Sequence, residues 1–474
     1  MEFVNHTPFP SLAFEGVDQR GQGFHTVVLR QTFTWNDAGE LVFADDQQPL
    51  CEADEYFGEN LQGSVRQESD LSGYKPRCDV IVNATAYPPQ RADGSVPERF
   101  DVRLSVMRPG APAPIPAQPY GLNPLMPASE EAMRNWRAEV ERAKDAAAQG
   151  ESLIEKVLVV TGERRFVKLN AWTRAAAALL KIGTFGIVRL PSWRLTQPDP
   201  AKAVPIRLER AFGGECRIDA DHGAANKVPQ KYRLTPEQIE AHPDAARPPV
   251  AHDACAFNPV GQGYIRDWFL DSVDLRSVTA PQIEYPTHPI GLEDFNHARR
   301  GKLDGGERLV AGLGVRPKGH PARAKLVGTI DQEFIESDAA LPKDFDFAVW
   351  NAAWPDQQVD ALSGDERIRL VNLCSPETPG VSRDRQGNAV LTLTLPGHLP
   401  FLLVRFENGA IGELGARLDT LLIDPDKREV SCVWRATIGK QPLVRVVEAR
   451  VLSSGDKRAV TDRIPIEQEE VAHG

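Results

Sequence analysis

The chain has 474 residues, 41% of them hydrophobic and 26% charged, and its formal net charge is −11 at pH 7. This length suits roughly two to four ordinary domains, or one large β-rich module with insertions. The negative charge argues against a general nucleic-acid binder, because an acidic surface repels phosphate backbones.

The cysteines and the apolar segments indicate where the protein works. Its six cysteines lie far apart and none form a CxxC pair, so we expect reduced thiols rather than a disulfide framework. The first residues lack the basic and apolar regions of a signal peptide. The most apolar run, 171–190, is interrupted by charged residues and is too short to span a bilayer. We therefore expect a cytoplasmic protein with no membrane partner.

The first elements along the chain are strands. Residues 24–35 place apolar side chains on one face, a turn cluster follows at 36–39, and residues 41–43 are apolar again. This order predicts a β-hairpin. Residues 100–106 alternate apolar and polar side chains, the period of a half-buried strand.

Helical signals are confined to the middle of the chain. A proline- and alanine-rich connection at 108–127 leads into an amphipathic stripe at 129–150, which begins with Ser129 as N-cap. We expect this helix to lie on a sheet rather than to bind a partner. A shorter helix is predicted to begin at Thr235, which opens a capping box with a proline at the first helical position.

The carboxyl-terminal part again indicates strands. Residues 390–395 alternate leucine and threonine, and 401–406 precede the turn dipeptide Asn408-Gly409. Residues 418–423 and 430–438 flank an Asp-Pro turn and predict a hairpin. The fold class expected is mainly β (β-rich α+β), with antiparallel sheets in a sandwich-like core, long Gly/Pro-rich loops and one or two inserted helices.

Four regions follow from these patterns. We expect an amino-terminal β region at 1–128, a helical insertion at 129–152, the remainder of the β module at 153–405, and a carboxyl-terminal β-hairpin extension with a short flexible tail at 406–474.

The segment 341–370 combines four large aromatic residues with several acidic ones and follows neither helical nor strand periodicity. Buried rings beside carboxylates require specific partners for those carboxylates, because an unpaired buried charge is costly. We therefore expect a shaped structural core here.

Catalytic and cofactor motifs are scarce. No P-loop, HExxH or GxSxG pattern occurs, and Gly261-Gln262-Gly263 lacks the third glycine of a dinucleotide fingerprint. The one metal candidate is a set of two Cys and His pairs, and scattered residues of these types are far commoner than zinc sites. We expect no cofactor and no metal, with this set left open: Cys216, His222, His252 and Cys255.

Two carboxylate pairs are candidates for acid–base chemistry, Asp344 with Asp346 and Asp365 with Glu366. If Asp344 and Asp346 share one side of an extended segment, their like charges would raise one pKa. The alternative, which we favour, is that they cap turns or pair with arginines such as Arg164, Arg210 and Arg323.

A separate motif, 209–214, follows Ile206 and Leu208 and predicts a strand that ends in a sharp turn. Its two glycines, Gly213 and Gly214, most simply permit positive φ or close backbone approach.

Short islands of sequence, each unspecific alone, occur in a shared order from residue 5 to about 370. Together they resemble a bacterial type VI secretion accessory family, catalogued as domain of unknown function 2169. The islands are 5–9, 27–33, 54–58, 75–80, 162–164, 209–214, 258–263, 281–284, 312–314, 328–331, 341–346, 351–353, 355–358 and 364–366, with a weaker tail at 418–419 and 433–435. The motif residues are Glu209, Arg210, Gly213, Gly214, Asn258, Pro259, Asp344, Asp346, Gln357, Asp365 and Glu366.

The sequence departs from the family pattern in two ways. Leu208, His320 and Ile330 stand where the family usually has aromatic residues, which puts local ring packing in doubt. The helix at 129–150 and the alanine-rich stretch at 171–200 resemble insertions, where specificity for one cargo would be sought.

The resemblance implies a non-enzymatic effector adaptor or chaperone in the bacterial cytoplasm. Such a protein binds a cognate effector toxin and promotes its loading onto the VgrG spike. Two alternatives remain. One is a β-rich enzyme acting on glycans or another cell-envelope substrate through Asp344, Asp346, Asp365 or Glu366. The other makes the chain itself a secreted structural or toxic component.

Overall fold

A computed structural model describes residues 1–58, 63–110, 130–169 and 192–452. The connection predicted at 108–127, the alanine-rich stretch at 171–200 and the tail at 467–474 lie wholly or mostly outside these residues.

Strands dominate the described chain. In chain order they are β1 (Glu2–Asn5), β2 (Ser11–Val17), β3 (Gly23–Trp35), β4 (Leu41–Phe43), β5 (Glu55–Tyr56), β6 (Val65–Gln67), β7 (Cys78–Val82), β8 (Thr85–Ala86), β9 (Arg99–Arg108), β10 (Glu151–Thr161), β11 (Arg165–Lys168), β12 (Trp193–Leu195), β13 (Val204–Pro205), β14 (Phe212–Gly213), β15 (Glu215–Ile218), β16 (Ala251–Ala254), β17 (Gln262–Gly263), β18 (Ser277–Thr279), β19 (Ile283–Glu284), β20 (Gln358–Val359), β21 (Arg367–Val371), β22 (Val381–Arg383), β23 (Ala389–Thr394), β24 (Leu399–Phe406), β25 (Ile411–Gly415), β26 (Arg417–Asp424), β27 (Glu429–Gly439) and β28 (Val444–Leu452).

The helices are mostly short. The α-helices are α1 (Glu130–Gln149), α2 (Pro236–Glu240), α3 (Asp267–Ser272), α4 (Leu292–Arg300), α5 (Pro321–Ala324) and α6 (Gln332–Ile335). The 3-10 helices are Leu208–Arg210, Ala225–Lys227, Gln230–Tyr232, Gly306–Leu309, Lys325–Val327, Phe347–Trp350 and Pro355–Gln357. No helix among the described residues is long and apolar enough to cross a membrane.

Three sheets form the main body. A seven-stranded sheet has the order β2-β3-β27-β26-β7-β20, with β4 also paired to β3. A six-stranded sheet has the order β19-β10-β9-β21-β23-β22, and a four-stranded sheet the order β1-β28-β24-β25. Most pairs are antiparallel; β26 with β7 and β1 with β28 are parallel.

One hydrophobic core joins these sheets. It contains Leu29 of β3 and Leu421 of β26 from the seven-stranded sheet, Leu104 of β9 from the six-stranded sheet, and Val447 of β28 from the four-stranded sheet, all fully buried. In the first part of β9 the apolar side chains alternate with exposed ones and face this core. The prediction of a β-rich protein with antiparallel sheets and a sandwich-like core is confirmed.

A second core lies under the loop-rich region between β11 and the 3-10 helix Gly306–Leu309. Phe166 stacks on Phe295 of α4 with ring centroids 4.2 Å apart, and Trp193 meets Phe295 edge-on. Short strands and α3 and α4 enclose this core, which also buries Cys216 and Cys255.

The hairpins predicted by local patterns are confirmed. β3 pairs with β4, β24 with β25, and β26 with β27, each antiparallel. The predicted helices are confirmed as α1 and α2, and Thr235 accepts a hydrogen bond from the Gln238 amide in its capping box. The strand predicted to run through Ile206 and Leu208 to the turn of 209–214 is wrong at Leu208. Leu208 begins a 3-10 turn, because its amide donates to the Ser64 hydroxyl (3.0 Å) instead of joining a sheet ladder.

Candidate functional site

Several of the sequence islands lie in pairs that are joined by hydrogen bonds or ion pairs. The strongest pair joins 209–214 to 258–263, where β14 runs parallel to β17. Gly213 and Gly214 have φ of 148° and 119°, and the Gly214 amide donates to the Asn258 carbonyl (2.8 Å). A Cβ on Gly213 would lie 2.1 Å from that same carbonyl oxygen. The glycines therefore permit close backbone approach, as the sequence predicts.

The Asn258 side chain stabilises the crossing of β14 and β17 by hydrogen bonds. Its side chain is fully buried, and Nδ2 donates to the carbonyls of Leu208 and Phe212, both at 2.8 Å. Pro259, the next residue, is exposed at the turn.

Glu209 binds the distant loop that contains Ser64. Its Oε1 accepts from the Ser64 amide (2.8 Å) and its Oε2 from the Ser64 hydroxyl (2.5 Å). The partner is 145 residues away. No local pattern marks Ser64, so sequence reasoning missed it.

A second pair joins 162–164 to 281–284 around the fully buried Glu284. Arg164 Nη2 donates to Glu284 Oε2 (2.6 Å), Arg99 donates to Oε1, and the Ile290 amide also donates to Oε2 (2.8 Å). A buried carboxylate with two guanidinium partners and a backbone donor is a satisfied structural ion. Arg164, predicted as a possible partner for Asp344 or Asp346, pairs with Glu284 instead.

A third pair joins 75–80 to 351–353 around Asp79, which is fully buried in β7. Its oxygens accept from the amides of Ala352 (2.8 Å) and Ala353 (3.1 Å), from Asn351 Nδ2 (3.1 Å) and from Lys75 Nζ (3.2 Å). Sequence reasoning did not select Asp79. The signal available was an acidic residue inside the otherwise apolar run 78–82.

Gln357 lies at the junction of two more islands. It is fully buried, and Nε2 donates to the carbonyls of Val80 and Leu313, both at 2.8 Å. Its Oε1 accepts from Lys156 Nζ (2.8 Å), which also contacts Asp356 at 2.8 Å. Burial lowers the pKa of Lys156 to about 8. Lys156 occupies an inward position of β10, between Ile154 and Leu158 in the period-two pattern, which is the signal that could have found it.

Asp344 and Asp346 cap turns and are exposed. Asp344 accepts from the Thr329 amide and hydroxyl, both at 2.8 Å, and these bonds hold its pKa below the ordinary value. Asp346 accepts from the Ala348 amide (2.8 Å) at the start of a 3-10 helix. The pKa of Asp344 therefore moves opposite to the direction expected for an acid–base pair of like charges.

In the second carboxylate pair, Glu366 is used in a turn. Glu366 is fully buried and accepts from the amides of Ser363 (2.5 Å) and Gly364 (2.9 Å). Asp365 is half-buried beside it in the chain. Glu366 thus closes the turn before β21.

The two other arginines proposed as partners for the acidic segment lie elsewhere. Arg323 is fully buried and forms a two-pronged ion pair with Glu68, both N–O distances being 2.6 Å. Arg210 Nη1 donates to Gln282 Oε1 (3.1 Å). The turn-capping alternative for Asp344 and Asp346 is thus the one that the structure contains.

The candidate metal set does not converge. Cys216 lies opposite Asp253 in the β15–β16 pair, whereas His252 lies opposite Arg217, so the Cys216 and His252 side chains leave opposite faces. His222 Nδ1 accepts from the nearby Ala224 amide (3.0 Å). Burial raises the pKa of Cys216 to about 12 and also raises that of Cys255. Within the described ranges, no group of three or more Cys, His, Asp or Glu side chains is arranged to hold a metal ion.

His252 instead belongs to an imidazole chain on the outer face. His242 Nε2 lies 3.1 Å from His252 Nδ1, and His252 Nε2 lies 3.0 Å from Glu215 Oε2. The Asp244 amide donates to His242 Nδ1 (3.0 Å). This order places the ring proton on Nε2 of both histidines. His242 Nε2–H donates to His252 Nδ1, and His252 Nε2–H donates to Glu215, so these nitrogens are not open to a metal.

A cavity of about 90 Å³ opens beside the first two island pairs. Its wall includes side chains of both signs, and Arg210, a motif residue, is among them. The lining residues are Glu163, Asp199, Pro200, Lys202, Ala203, Val204, Pro205, Arg210 and Gln282.

Comparison with known proteins places the chain in one family. The family described as "Uncharacterized protein conserved in bacteria (DUF2169)" matches residues 20–110 and 127–435. No curated protein and no solved structure matches the chain. The match spans most of the sequence and includes every motif residue named above, so the chain belongs to this family of uncharacterised proteins conserved in bacteria.

Proposed function

We propose that this protein is a non-catalytic effector adaptor or chaperone of a type VI secretion system. It binds a cognate effector toxin in the bacterial cytoplasm and promotes its loading onto the VgrG spike. The resemblance carried by the collinear islands supports the link to the secretion system. The structure of those islands supports action by binding.

The observation that carries the proposal is the pairing of the islands. The carboxylates of Asp79 and Glu284 accept hydrogen bonds from groups of other islands, and that of Glu209 accepts from Ser64 in a distant loop. Asn258 and Gln357 donate to backbone carbonyls. Side chains used this way fix long loops in place and leave recognition to the surface that those loops form.

Exposed strand edges offer a surface for a partner. On β2 and β4, which lie along the edge of the seven-stranded sheet, Leu12, Val42 and Phe43 are 40%, 45% and 48% exposed. Such an edge can accept an extended segment of another chain. An adaptor must also release its cargo, which favours an interface of moderate size and partly polar character.

The test is co-purification of the tagged protein from its native bacterium. We expect mass spectrometry to identify a type VI effector, the VgrG spike, or both. Deletion of the gene should abolish secretion of that effector while other secreted substrates are still released. Repeated recovery of neither protein would contradict the proposal, as would unchanged secretion.

Helix α1 is the segment we assign to cargo specificity. Met133 and Trp136 are half-buried on it, and much of its remaining described surface is exposed and charged. A variant that lacks 129–150 should lose effector affinity while keeping the sheet fold. Unchanged affinity in that variant would exclude the helix from the interface.

A further inference from the structure

The cavity beside Arg210 has the features of a small recognition pocket. It lies where four stretches of chain meet: Glu163, Arg210 and Gln282 come from three different islands, and residues 199–205 form the rest of the wall. The backbone here is fixed, since the Gln282 amide donates to the Arg210 carbonyl (2.8 Å) and the Thr161 amide donates to the Gln282 carbonyl (2.8 Å).

Arg210 is held in position and only partly used. Gln282 Nε2 donates to the Thr161 carbonyl (3.2 Å), which orients Gln282 Oε1 to accept from Arg210 Nη1 (3.1 Å). Among the described residues, Arg210 Nε and Nη2 have no acceptor. These two groups form the side-on fork of a guanidinium, which matches the two oxygens of a carboxylate.

The charges around the pocket are balanced. Lys202 adds a second cation, and Glu163 and Asp199 add two carboxylates. None of these three side chains forms an ion pair within the described part of the chain. A simple anion would be attracted by the two cations and repelled by the two carboxylates, whereas a carboxylate with a cation near it in the same molecule would satisfy both signs.

The size of the cavity favours a small group. Its volume is about 90 Å³. Sites for cofactors and metabolites usually enclose roughly 300–1,000 Å³. The pocket therefore fits the terminal group of one side chain that belongs to a larger molecule.

We propose that this pocket binds the carboxylate of an acidic side chain of a protein partner, through Arg210 and Lys202. A neighbouring basic residue of that partner contacts Glu163 and Asp199 at the rim. This inference rests on the proposed function for the statement that the partner is a protein, and it names the contact by which that partner is held.

The direct test uses the full chain with arginine side chains labelled with ¹⁵N at Nε. It is titrated with the blocked peptide acetyl-Lys-Ala-Glu-amide and with the matched peptide acetyl-Lys-Ala-Gln-amide. The Arg210 signal is identified by its loss in Arg210→Gln. We expect that signal to shift and saturate at millimolar concentrations of the glutamate peptide, and to shift at least fivefold less at the same concentration of the glutamine peptide.

Arg210→Lys separates charge from geometry. It keeps the positive charge but removes the fork, so we expect the affinity for the glutamate peptide to fall by about fivefold or more. Arg385→Lys, at an exposed arginine in the turn before β23, is the control and should bind as the wild type does. Affinity unchanged in Arg210→Lys, an equal shift with both peptides, or no shift with either would overturn the inference.

Co-purification distinguishes this inference from the proposed function. Recovery of a type VI partner by the wild type and its loss with Arg210→Gln, whose thermal unfolding is checked beside it, supports both. Equal recovery with Arg210→Gln overturns the pocket but leaves the adaptor intact. No recovery by the wild type contradicts the adaptor itself.

Discussion

His320 shows how one buried histidine changes the chemistry of a packed site. It is 4% exposed. Its ring lies 5.5 Å from that of Phe257 and 6.0 Å from that of Trp354. The imidazole packs as a ring, but it brings a titratable group into an apolar cluster, and its Nε2 has no hydrogen-bond partner among the described residues.

This burial makes the stability of the protein depend on pH. Burial, and then the charge of Arg316, lower the pKa of His320 from 6.5 to about 4. As the pH falls from 6.5 to 4, the unfolded chain binds a proton that the folded ring does not accept, so the free energy of unfolding falls. The loss from this group is at most about 3 kcal/mol.

The variant His320→Phe keeps a ring in the cluster and removes the titration. We expect the wild type to lose up to about 3 kcal/mol more than this variant between pH 6.5 and pH 4, measured by denaturant unfolding at several pH values. His297→Phe, at an exposed histidine of α4, is the control and should follow the wild type. Parallel pH curves for the wild type and His320→Phe would refute the assignment.

At the scale of elements, the fold depends on places where two loops cross with no room for a side chain. Gly261 is such a place in the crossing of β14 and β17. A Cβ there would lie 2.4 Å from Asn258 Nδ2 and 2.7 Å from the Ala211 carbonyl oxygen. Contacts this short cannot be absorbed by a flexible side chain, because one of them is backbone.

Alanine substitution tests this crossing. Gly261→Ala should lower the free energy of unfolding by about 1–3 kcal/mol through overpacking. Gly319→Ala is the matched control, because a Cβ there meets nothing within 4 Å, and its effect should stay within about 0.5 kcal/mol. Denaturant unfolding of both variants measures the difference. Equal effects in the two would show that the crossing is not tightly packed.

At the scale of the whole molecule, strand pairing crosses the boundaries predicted from sequence. β26 and β27 follow residue 405, yet they occupy central positions of the seven-stranded sheet, between β3 and β7. β27 pairs with β3 from Val430–Phe33 to Gly439–Phe24. Eight of their apolar side chains are buried in the main core: Leu418, Leu421, Ile423, Val430, Cys432, Trp434, Ala436 and Ile438. At about 1.5–3 kcal/mol for each large apolar side chain, this burial is comparable to the net stability of a domain, about 5–15 kcal/mol.

A chain that ends at residue 405 should therefore fail to fold. Circular dichroism and size-exclusion chromatography should show lost strand signal and an expanded or aggregated chain. A chain that ends at 452 keeps β28 and is the control, which should remain folded. A compact, cooperatively unfolding 1–405 fragment would show instead that the carboxyl-terminal strands are an independent addition.

Sequence by itself determined the features that are local in the chain. The hairpins of β3 with β4 and of β26 with β27, the capping box of α2 and the turn role of Gly213 follow from side-chain period, turn residues and backbone freedom within a few positions. The β-rich character follows because the same strand and turn patterns recur along the chain.

Only the tertiary structure decided which distant segments meet. The pairing of β7 with β26, the hydrogen bonds from Ser64 to Glu209, the cluster at Asp79 and the orientation of Arg210 by Gln282 each join residues far apart in the chain. The period of the apolar residues specifies which face of a strand is buried, and a turn residue specifies where the chain reverses. Neither specifies which distant strand or loop covers that face. Sequence marks Asp79 only as an acidic residue in an apolar run. Its role and that of Asp344 are settled only when the folded chain buries one and leaves the other at a turn.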